Sequence, residues 1–313
     1  MKSKLLVLLL ILMIGMSGFY FFFHKNALLN SSSSLGMTKN SKLQITTSFY
    51  PLYFFTNQIS GDKAEARNIT PSGAEPHDYE PTAQDIVHIE NSNMLVLNGG
   101  KLEAWGDKIR ENLKGKNVRI VVAGESLTTQ EVEEQGKKII DPHVWLSPPL
   151  AKKQVEKITQ GFLKVDPSNS LYYQANEKKL GEELDRLDKE YKDGLHDCRQ
   201  KDIITSHAAF GYLAAHYGLN QVSIAGLSPD EEPSAQKLAE VARFAKEHNV
   251  KYIFFESLVS PKLSETIAHE VGAKTFVLNP IEGVSDEDAK QGKNYITIMK
   301  ENLKNLRIAL ECK

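Results

Sequence analysis

Short apolar runs that are typical of β-strands alternate with helical patterns along most of this 313-residue chain. Such alternation is typical of parallel sheets whose two faces are covered by helices. The predicted strands form two groups of four, at residues 43–49, 64–69, 94–97 and 118–122, and at residues 202–206, 221–225, 252–256 and 274–278. The sequence therefore predicts an α/β protein of two lobes, each a four-stranded, mostly parallel sheet flanked by helices.

A long charged stretch separates the two groups of strands. Asp166 and Pro167 carry a helix-start signal, and the helical pattern then continues to about His196 without a proline. About 30 residues at 1.5 Å per residue span about 45 Å, which suits one rigid connecting helix. A helix pair broken at Gly181 is the alternative. We expect an N-terminal lobe at 42–165, the connecting helix at 166–197 and a C-terminal lobe at 198–313.

The N-terminus has the pattern of an export signal. Two lysines precede an uncharged apolar run at residues 5–23. This run is longer than the roughly 7–15 residues of a cleaved signal core and near the roughly 20 of a membrane-spanning helix. We therefore expect residues 1–25 to be a signal sequence or an uncleaved membrane anchor. No cysteine lies near the run, so we expect no lipid-modified cysteine there. Residues 26–41, which contain four consecutive serines, are predicted to be a flexible tether.

Composition narrows the class of protein further. Lysine and arginine number 38 against 40 aspartates and glutamates, so no basic excess indicates a nucleic-acid partner. The two cysteines, Cys198 and Cys312, match no zinc-ligand spacing. In an exported protein such a pair predicts a disulfide bond.

Three of the nine histidines follow predicted strands. His77 lies in the proline-rich loop at 71–81, which cannot form regular structure, and His143 and His207 follow two further β-like runs. A single histidine is more often a surface or core residue. Ligands of open α/β sheets, however, bind outside the carboxyl ends of the strands, so the shared position predicts a metal site. The other histidines fall in the tether or in helical stretches: His24, His88, His196, His216, His248 and His269.

Five motifs in a fixed order give a family resemblance: PSGAEPHDYEPT, DPHVWLSP, TSHAAFGYLA, EEPS and LNPIEG. From residue 42 to the C-terminus, the chain resembles the metal-binding receptors of zinc- and manganese-importing ABC transporters, in their zinc-type branch. The resemblance implies two α/β lobes joined by one long helix, with the metal between them. It also implies an extracytoplasmic, monomeric receptor that binds without catalysis and delivers its ion to an ABC transporter permease.

The resemblance also implies the ligands. The first three match His77, His143 and His207, and the fourth is a carboxylate after the last strand. Many members have aspartate where Asn279 stands, whereas zinc-type members with an NPxEG turn have a glutamate at the position of Glu282. Within the turn Glu282 alone carries a carboxylate, so we predict that it completes the site and that Asn279 hydrogen-bonds within the turn. Residues 124–140, predicted to be a polar loop, lack the histidines that zinc-type relatives often carry there.

Three neutral imidazoles and one carboxylate suit a single tetrahedral Zn²⁺ ion, whereas Mn²⁺ prefers more oxygen ligands. Copper and nickel stay open, because affinity order alone does not exclude them. The alternatives are a receptor for manganese or another divalent metal, and a surface adhesin of the same fold. A zinc hydrolase is less favoured, since Glu282 would fill the open position that catalysis requires.

Residues beside the ligands have expected roles too. Asp141 is expected either to orient a ligand histidine or to cap its loop, and Glu256 to support a ligand rather than to be one. Trp145 is expected to pack between the lobes. Three acidic residues beside His77 are expected to be solvated: Glu75, Asp78 and Glu80.

Overall fold

The computed structural model of the protein describes residues 42–134 and 136–313. The predicted signal or anchor at 1–25 and the tether at 26–41 lie outside the described residues. Among the described residues, none of the helices combines the length and the apolar character needed to cross a membrane.

The first sheet is parallel throughout, with strand order β2-β1-β3-β4. Its strands are β1 (Leu43–Thr47), β2 (Ala64–Asn68), β3 (Met94–Leu97) and β4 (Arg119–Val122). The helices between them are α1 (Tyr50–Ser60), α2 (Ala83–Asn91) and α3 (Gly106–Asn112). All four residues of the central strand β3 are apolar and buried, as expected for a strand covered on both faces.

A β-hairpin occupies part of the stretch that was predicted to be a loop. Strands β5 (Glu131–Glu134) and β6 (Lys137–Ile140) pair antiparallel, and the turn contains Gly136 with φ 75°. One strand is acidic and the other begins with two lysines, and Lys138 forms an ion pair of 3.3 Å with Glu131. Opposite charges across paired strands stabilise a hairpin that has little apolar surface. The loop prediction is therefore wrong for residues 131–140.

One long helix connects the two halves, as predicted. Helix α4 (Pro148–Val165) leads through a short 3₁₀ turn into α5 (Ser170–Leu195), which has 26 residues and runs unbroken past Gly181. At 1.5 Å per residue, α5 is about 39 Å long. Its buried residues recur at helical spacing and form one apolar face: Leu180, Leu184, Leu187, Tyr191 and Leu195.

The second sheet repeats the topology of the first. Its strands are β7 (Asp202–Thr205), β8 (Asn220–Ser223), β9 (Tyr252–Phe255) and β10 (Lys274–Val277), all parallel in the order β10-β9-β7-β8. Its helices are α6 (Gly211–Tyr217), α7 (Ala235–Glu247) and α8 (Lys262–Val271). In each sheet the first strand lies between the second and third. Each sheet therefore has a crevice at the carboxyl ends of its first and third strands, where ligands of α/β folds bind.

The closing segment contains two helices. Helix α9 (Asp286–Lys290) ends before Gly292, which has φ 81°, and α10 (Tyr295–Ala309) begins at a capping box between Asn294 and Thr297. The backbone turn and the new cap end one helix and start another. After α10, Cys312 is bonded to Cys198, which confirms the predicted disulfide.

The main core is continuous between the sheets. Trp145 is fully buried in it and packs edge-on against Phe49 with 4.6 Å between ring centroids. Its indole N–H donates to the carbonyl of Pro280 at 2.7 Å, and its own carbonyl accepts from the hydroxyl of Tyr295 at 2.5 Å. Trp145 thus joins the two halves of the chain, in agreement with the expected packing role.

Candidate metal centre

Four side chains from distant parts of the sequence converge between the two sheets, namely those of His77, His143, His207 and Glu282. Their ligand atoms all lie within 4.8 Å of one another. Nε2 of His143 is 3.2 Å from Nε2 of His77 and 3.4 Å from Nε2 of His207. Oε1 of Glu282 is 3.3 Å from Nε2 of His77, 3.2 Å from Nε2 of His143 and 3.4 Å from Nε2 of His207.

These distances have the dimensions of a small tetrahedral site. In a regular tetrahedron, ligand atoms about 2.0–2.1 Å from a zinc ion lie about 3.3–3.4 Å from one another. The five separations of 3.2–3.4 Å correspond to edges of that tetrahedron. The four atoms therefore fit Zn²⁺ in number, chemical type and spacing.

His77 is carried by the loop after β2. Its backbone N–H donates to Oε1 of Glu75 at 3.3 Å, and Ser72 in the same loop donates to the carbonyl of Val284 at 2.8 Å. This second bond ties the loop to the segment that carries Glu282. The side chain of His77 is 10% exposed, while the other three site side chains are at most 1% exposed. His77 therefore forms the wall of the site that is closest to solvent.

His143 is oriented by Asp141. One carboxylate oxygen of Asp141 accepts from the backbone N–H of His143 at 2.9 Å and lies 2.8 Å from Nδ1 of the same residue. A proton on Nδ1 leaves the lone pair of Nε2 free to bind a metal. Asp141 thus has both of the roles expected of it. The predicted β-like run before His143 is β6 of the hairpin, so this histidine also follows a strand, but one outside the two four-stranded sheets.

His207 is oriented in the same way by Glu256. It follows β7 by two residues, and Nδ1 lies 2.5 Å from Oε1 of Glu256, which directly follows β9. Ser206 donates to the same carboxylate oxygen. Glu256 is 2% exposed and contacts the outer side of the imidazole. Its position fits a supporting residue and not a ligand.

Glu282 comes from the turn after β10. Its second oxygen, Oε2, is buried and has no hydrogen-bond partner among the described residues, so it is open to a cation. Asn279 in the same turn points elsewhere. Its side-chain N–H donates to Ser257 at 2.7 Å, and its side-chain oxygen accepts from the backbone N–H of Ile281 at 2.7 Å. Asn279 therefore has the local hydrogen bonds expected from the sequence and lies outside the cluster of four.

The environments of two histidines favour positive charge. Burial lowers the pKa of His143, but hydrogen bonds with Asp141 and Glu282 outweigh it, so that the pKa is raised overall. Burial also opposes the charge on His207, yet the nearby charges of Glu256 and Glu282 hold its pKa well above the usual value. Carboxylates on both sides of these rings thus compensate a positive charge inside the site.

The pKa values of the other two site residues, His77 and Glu282, are both lowered. Burial lowers the pKa of His77, and its bond to Glu282 offsets only part of the effect. Burial alone would raise the pKa of Glu282, but the charge of His207 and hydrogen bonds from the histidines bring it well below the usual range. The site therefore presents an ionised carboxylate, the form in which Glu282 binds a divalent cation, whereas His143 and His207 must give up any proton on Nε2 when the ion binds.

Glu75 differs from its predicted role. It was expected to be solvated with Asp78 and Glu80, but Oε1 accepts from the backbone of His77 and Oε2 is buried. Burial, followed by the charge of Glu282, raises the pKa of Glu75 to about 9. Asp78 and Glu80 are exposed as expected.

Comparison with known proteins agrees with the site chemistry. Residues 45–309 match the family model described as zinc-uptake complex component A, periplasmic. The high-affinity zinc uptake system protein ZnuA of Bacillus subtilis is 43% identical over 292 residues, covering 90% of this chain and 92% of that protein. The zinc-binding lipoprotein AdcA of Streptococcus pneumoniae is 42% identical over 279 residues. The match covers 86% of this chain but 56% of AdcA, so the chain spans about half of that relative.

Solved structures give the same result. The Zn(II)-bound ZnuA-like domain of S. pneumoniae AdcA superposes with a TM-score of 0.75 at 42% identity, covering 86% of this chain and 99% of that domain. The laminin-binding protein Lmb of Streptococcus agalactiae, described as a bifunctional adhesin and metal transporter, gives 0.78 at 35% identity, with 86% and 99% covered. The chain therefore belongs to the family of the periplasmic component A of zinc-uptake complexes, whose role is binding and not catalysis, as the sequence predicted.

Proposed function

We propose that this protein binds one Zn²⁺ ion per chain through His77, His143, His207 and Glu282, and delivers it to the permease of an ABC transporter. The observation that carries the proposal is the set of five ligand–ligand separations between 3.2 and 3.4 Å. They match five of the six edges of a zinc tetrahedron, and both supporting carboxylates lie behind candidate ligand histidines.

The donor set favours zinc over manganese. Three of the four ligand atoms are imidazole nitrogens, whereas Mn²⁺ favours carboxylate, carbonyl and water oxygens and higher coordination. A fourth ligand, Glu282, closes the position where a catalytic zinc would hold its water. The arrangement therefore suits capture and release of the ion rather than hydrolysis.

The position of the site suggests how capture and release work. His77 and His143 precede the connecting helix α5, and His207 and Glu282 follow it. We take residues 42–165 and 198–313 as two lobes joined by residues 166–197, so that separating the lobes would split the ligands two and two. The protein acts outside the cytoplasm as a monomer, with residues 1–25 as signal or membrane anchor and residues 26–41 as tether.

Metal analysis of the full chain, purified without added metal, tests the proposal. We expect one zinc per chain, and a competition titration in which Zn²⁺ displaces Mn²⁺. His143→Ala should abolish stoichiometric binding, whereas His248→Ala, which alters an exposed histidine paired with Asp202, should not. Tighter binding of manganese than zinc would refute the metal assignment. Equal zinc binding by both variants would refute the site.

A further inference from the structure

The residue before the fourth ligand has an unusual backbone. Ile281 is fully buried and has φ 61°, in the left-handed region. A β-branched residue seldom adopts this conformation, because its side chain crowds the backbone there. The same φ, however, sets the direction in which the next residue, Glu282, leaves the turn. Something in the surrounding structure must therefore hold Ile281 in a conformation that it disfavours.

Helix α10 supplies the strongest restraint. Asn302 is 1% exposed, and both ends of its carboxamide bond the backbone of Asn279. Its Oδ1 accepts from the N–H of Asn279 at 2.8 Å, and its Nδ2 donates to the carbonyl of Asn279 at 2.7 Å. A two-point bond of this kind restrains both peptide groups that flank the Cα atom of Asn279.

Two more hydrogen bonds continue from this fixed point toward Glu282. The side-chain oxygen of Asn279 accepts from the N–H of Ile281 at 2.7 Å, and the indole of Trp145 donates to the carbonyl of Pro280 at 2.7 Å. Every residue from Asn279 to Ile281 is thus restrained by at least one buried or half-buried bond. Asn302 is the side chain that bonds this turn at two backbone atoms, whereas Trp145 bonds it at one.

We propose that Asn302 is a positioning residue for metal binding. By clamping Asn279, it keeps Ile281 left-handed and so presents Oε1 of Glu282 to the three imidazoles. Without the clamp, Ile281 relaxes toward negative φ and the carboxylate turns away from its place in the tetrahedron. This inference rests on the proposed function, because it assigns to Asn302 an effect on the affinity for zinc.

The test compares two asparagines on the same helix. Asn305, one turn further along α10, donates to the carbonyl of Val277 at 2.9 Å but does not contact the turn. We expect Asn302→Ala to weaken zinc binding about 5- to 30-fold, which is the population ratio equivalent to the cost of a left-handed conformation. Asn305→Ala removes the same chemical group from a comparable site and should leave zinc affinity unchanged. A chelator competition titration with zinc measures both.

A second background separates positioning from general destabilisation. Glycine adopts positive φ without the steric cost that isoleucine has. In an Ile281→Gly background, the hydrogen bonds of Asn302 are therefore no longer needed to hold residue 281 in a disfavoured conformation. The loss of affinity caused by Asn302→Ala should therefore be clearly smaller in that background than in the parent protein, as a double-mutant cycle measures. The visible spectrum of bound Co²⁺ should also lose intensity for Asn302→Ala and recover in the double variant, because it reports tetrahedral geometry.

The outcomes are distinct. Equal losses in both backgrounds, or an Asn302→Ala variant with parental zinc affinity, overturn the inference while leaving the proposed function intact. A parent protein that binds no zinc overturns the proposed function instead. If Asn302→Ala does not fold, Asn302→Asp provides a second comparison, because it keeps the acceptor for the N–H of Asn279 and replaces the donor by a carboxylate oxygen that repels the carbonyl of Asn279.

Discussion

Replacing Glu282 by glutamine removes the negative charge of the proposed site with almost no change in shape. Glu282 is 1% exposed, and its Oε1 lies 3.2–3.4 Å from three imidazole nitrogens. With neutral histidines and an ionised Glu282, the ion and its four ligands carry a net charge of +1, which the carboxylates of Asp141 and Glu256 offset only from behind the imidazoles. Glu282→Gln raises this to +2 in a place with little water. Since an uncompensated buried charge is costly, zinc affinity must fall.

The expected loss of zinc affinity in Glu282→Gln can be judged from measurements on other buried charge pairs. Removing one partner of a buried, hydrogen-bonded charge pair costs about 2–5 kcal/mol. At room temperature this corresponds to a zinc dissociation constant about 30- to 5000-fold higher. The amide oxygen of glutamine still reaches the same place, so the loss reflects charge more than contact.

Competition titration against a chelator of known zinc affinity measures this change. Glu103→Gln is the matched control, because Glu103 is also a buried glutamate but bonds Ser48 and the backbone of Asn98 and Gly99, away from the cluster. We expect Glu103→Gln to lower the melting temperature and to keep zinc affinity. Asn279→Ala should weaken binding less than Glu282→Gln and act mainly on stability. Parental affinity for Glu282→Gln, or the reverse ranking, would show that the fourth ligand is assigned wrongly.

Four further measurements test the remaining reasoning. Zinc at a hundredfold excess over its dissociation constant should stabilise the fold by about 2.7 kcal/mol in thermal melts, and manganese should stabilise it less. The affinity for zinc should fall with decreasing pH, because imidazoles that bind the ion must be neutral. Since the pKa values of His143 and His207 are raised, this fall should begin above the ordinary histidine pKa of about 6.5. Equal zinc affinities at high and low pH would contradict histidine ligation. Glu256→Gln should weaken zinc binding about 10- to 100-fold while thermal stability without metal changes little by comparison. Cys198 and Cys312 are 114 residues apart in the sequence, so reducing their disulfide bond should destabilise the fold by up to about 4–5 kcal/mol. Thiol counting before reduction should find no free thiol.

The sequence predicts the two sheets well because most of their strands, such as β3 and β9, are short apolar runs between clear turns, although β2 and β8 are mostly polar. It predicts the hairpin at 131–140 poorly because that hairpin is held by charge pairing across strands and not by alternating apolar residues. The break at Gly292 and Asn294 carried a local signal, the capping box, and was within reach of sequence reasoning. The inward turn of Glu75 and the left-handed Ile281 had no such signal. Both depend on contacts with residues far away in the sequence.

The crevice of each sheet holds a buried carboxylate, but the two carboxylates serve different groups. In the first sheet, Glu103 accepts from Ser48, which follows β1, and from backbone N–H groups that follow β3. In the second sheet, Glu256 accepts from Ser206, which follows β7, and also contacts Nδ1 of His207. The same topology thus yields one carboxylate that only stabilises its own loop and one that also orients a candidate ligand.

The two halves of the chain also differ in the elements that carry their candidate ligands. His207 and Glu282 stand at the carboxyl edge of the second sheet, on a short strand extension and on a turn clamped by α10. His77 and His143 come from a proline-rich loop and from the segment after the hairpin. The second half of the chain thus offers one candidate ligand shortly after a strand and one on a turn clamped by α10, whereas both candidate ligands of the first half lie on connecting segments.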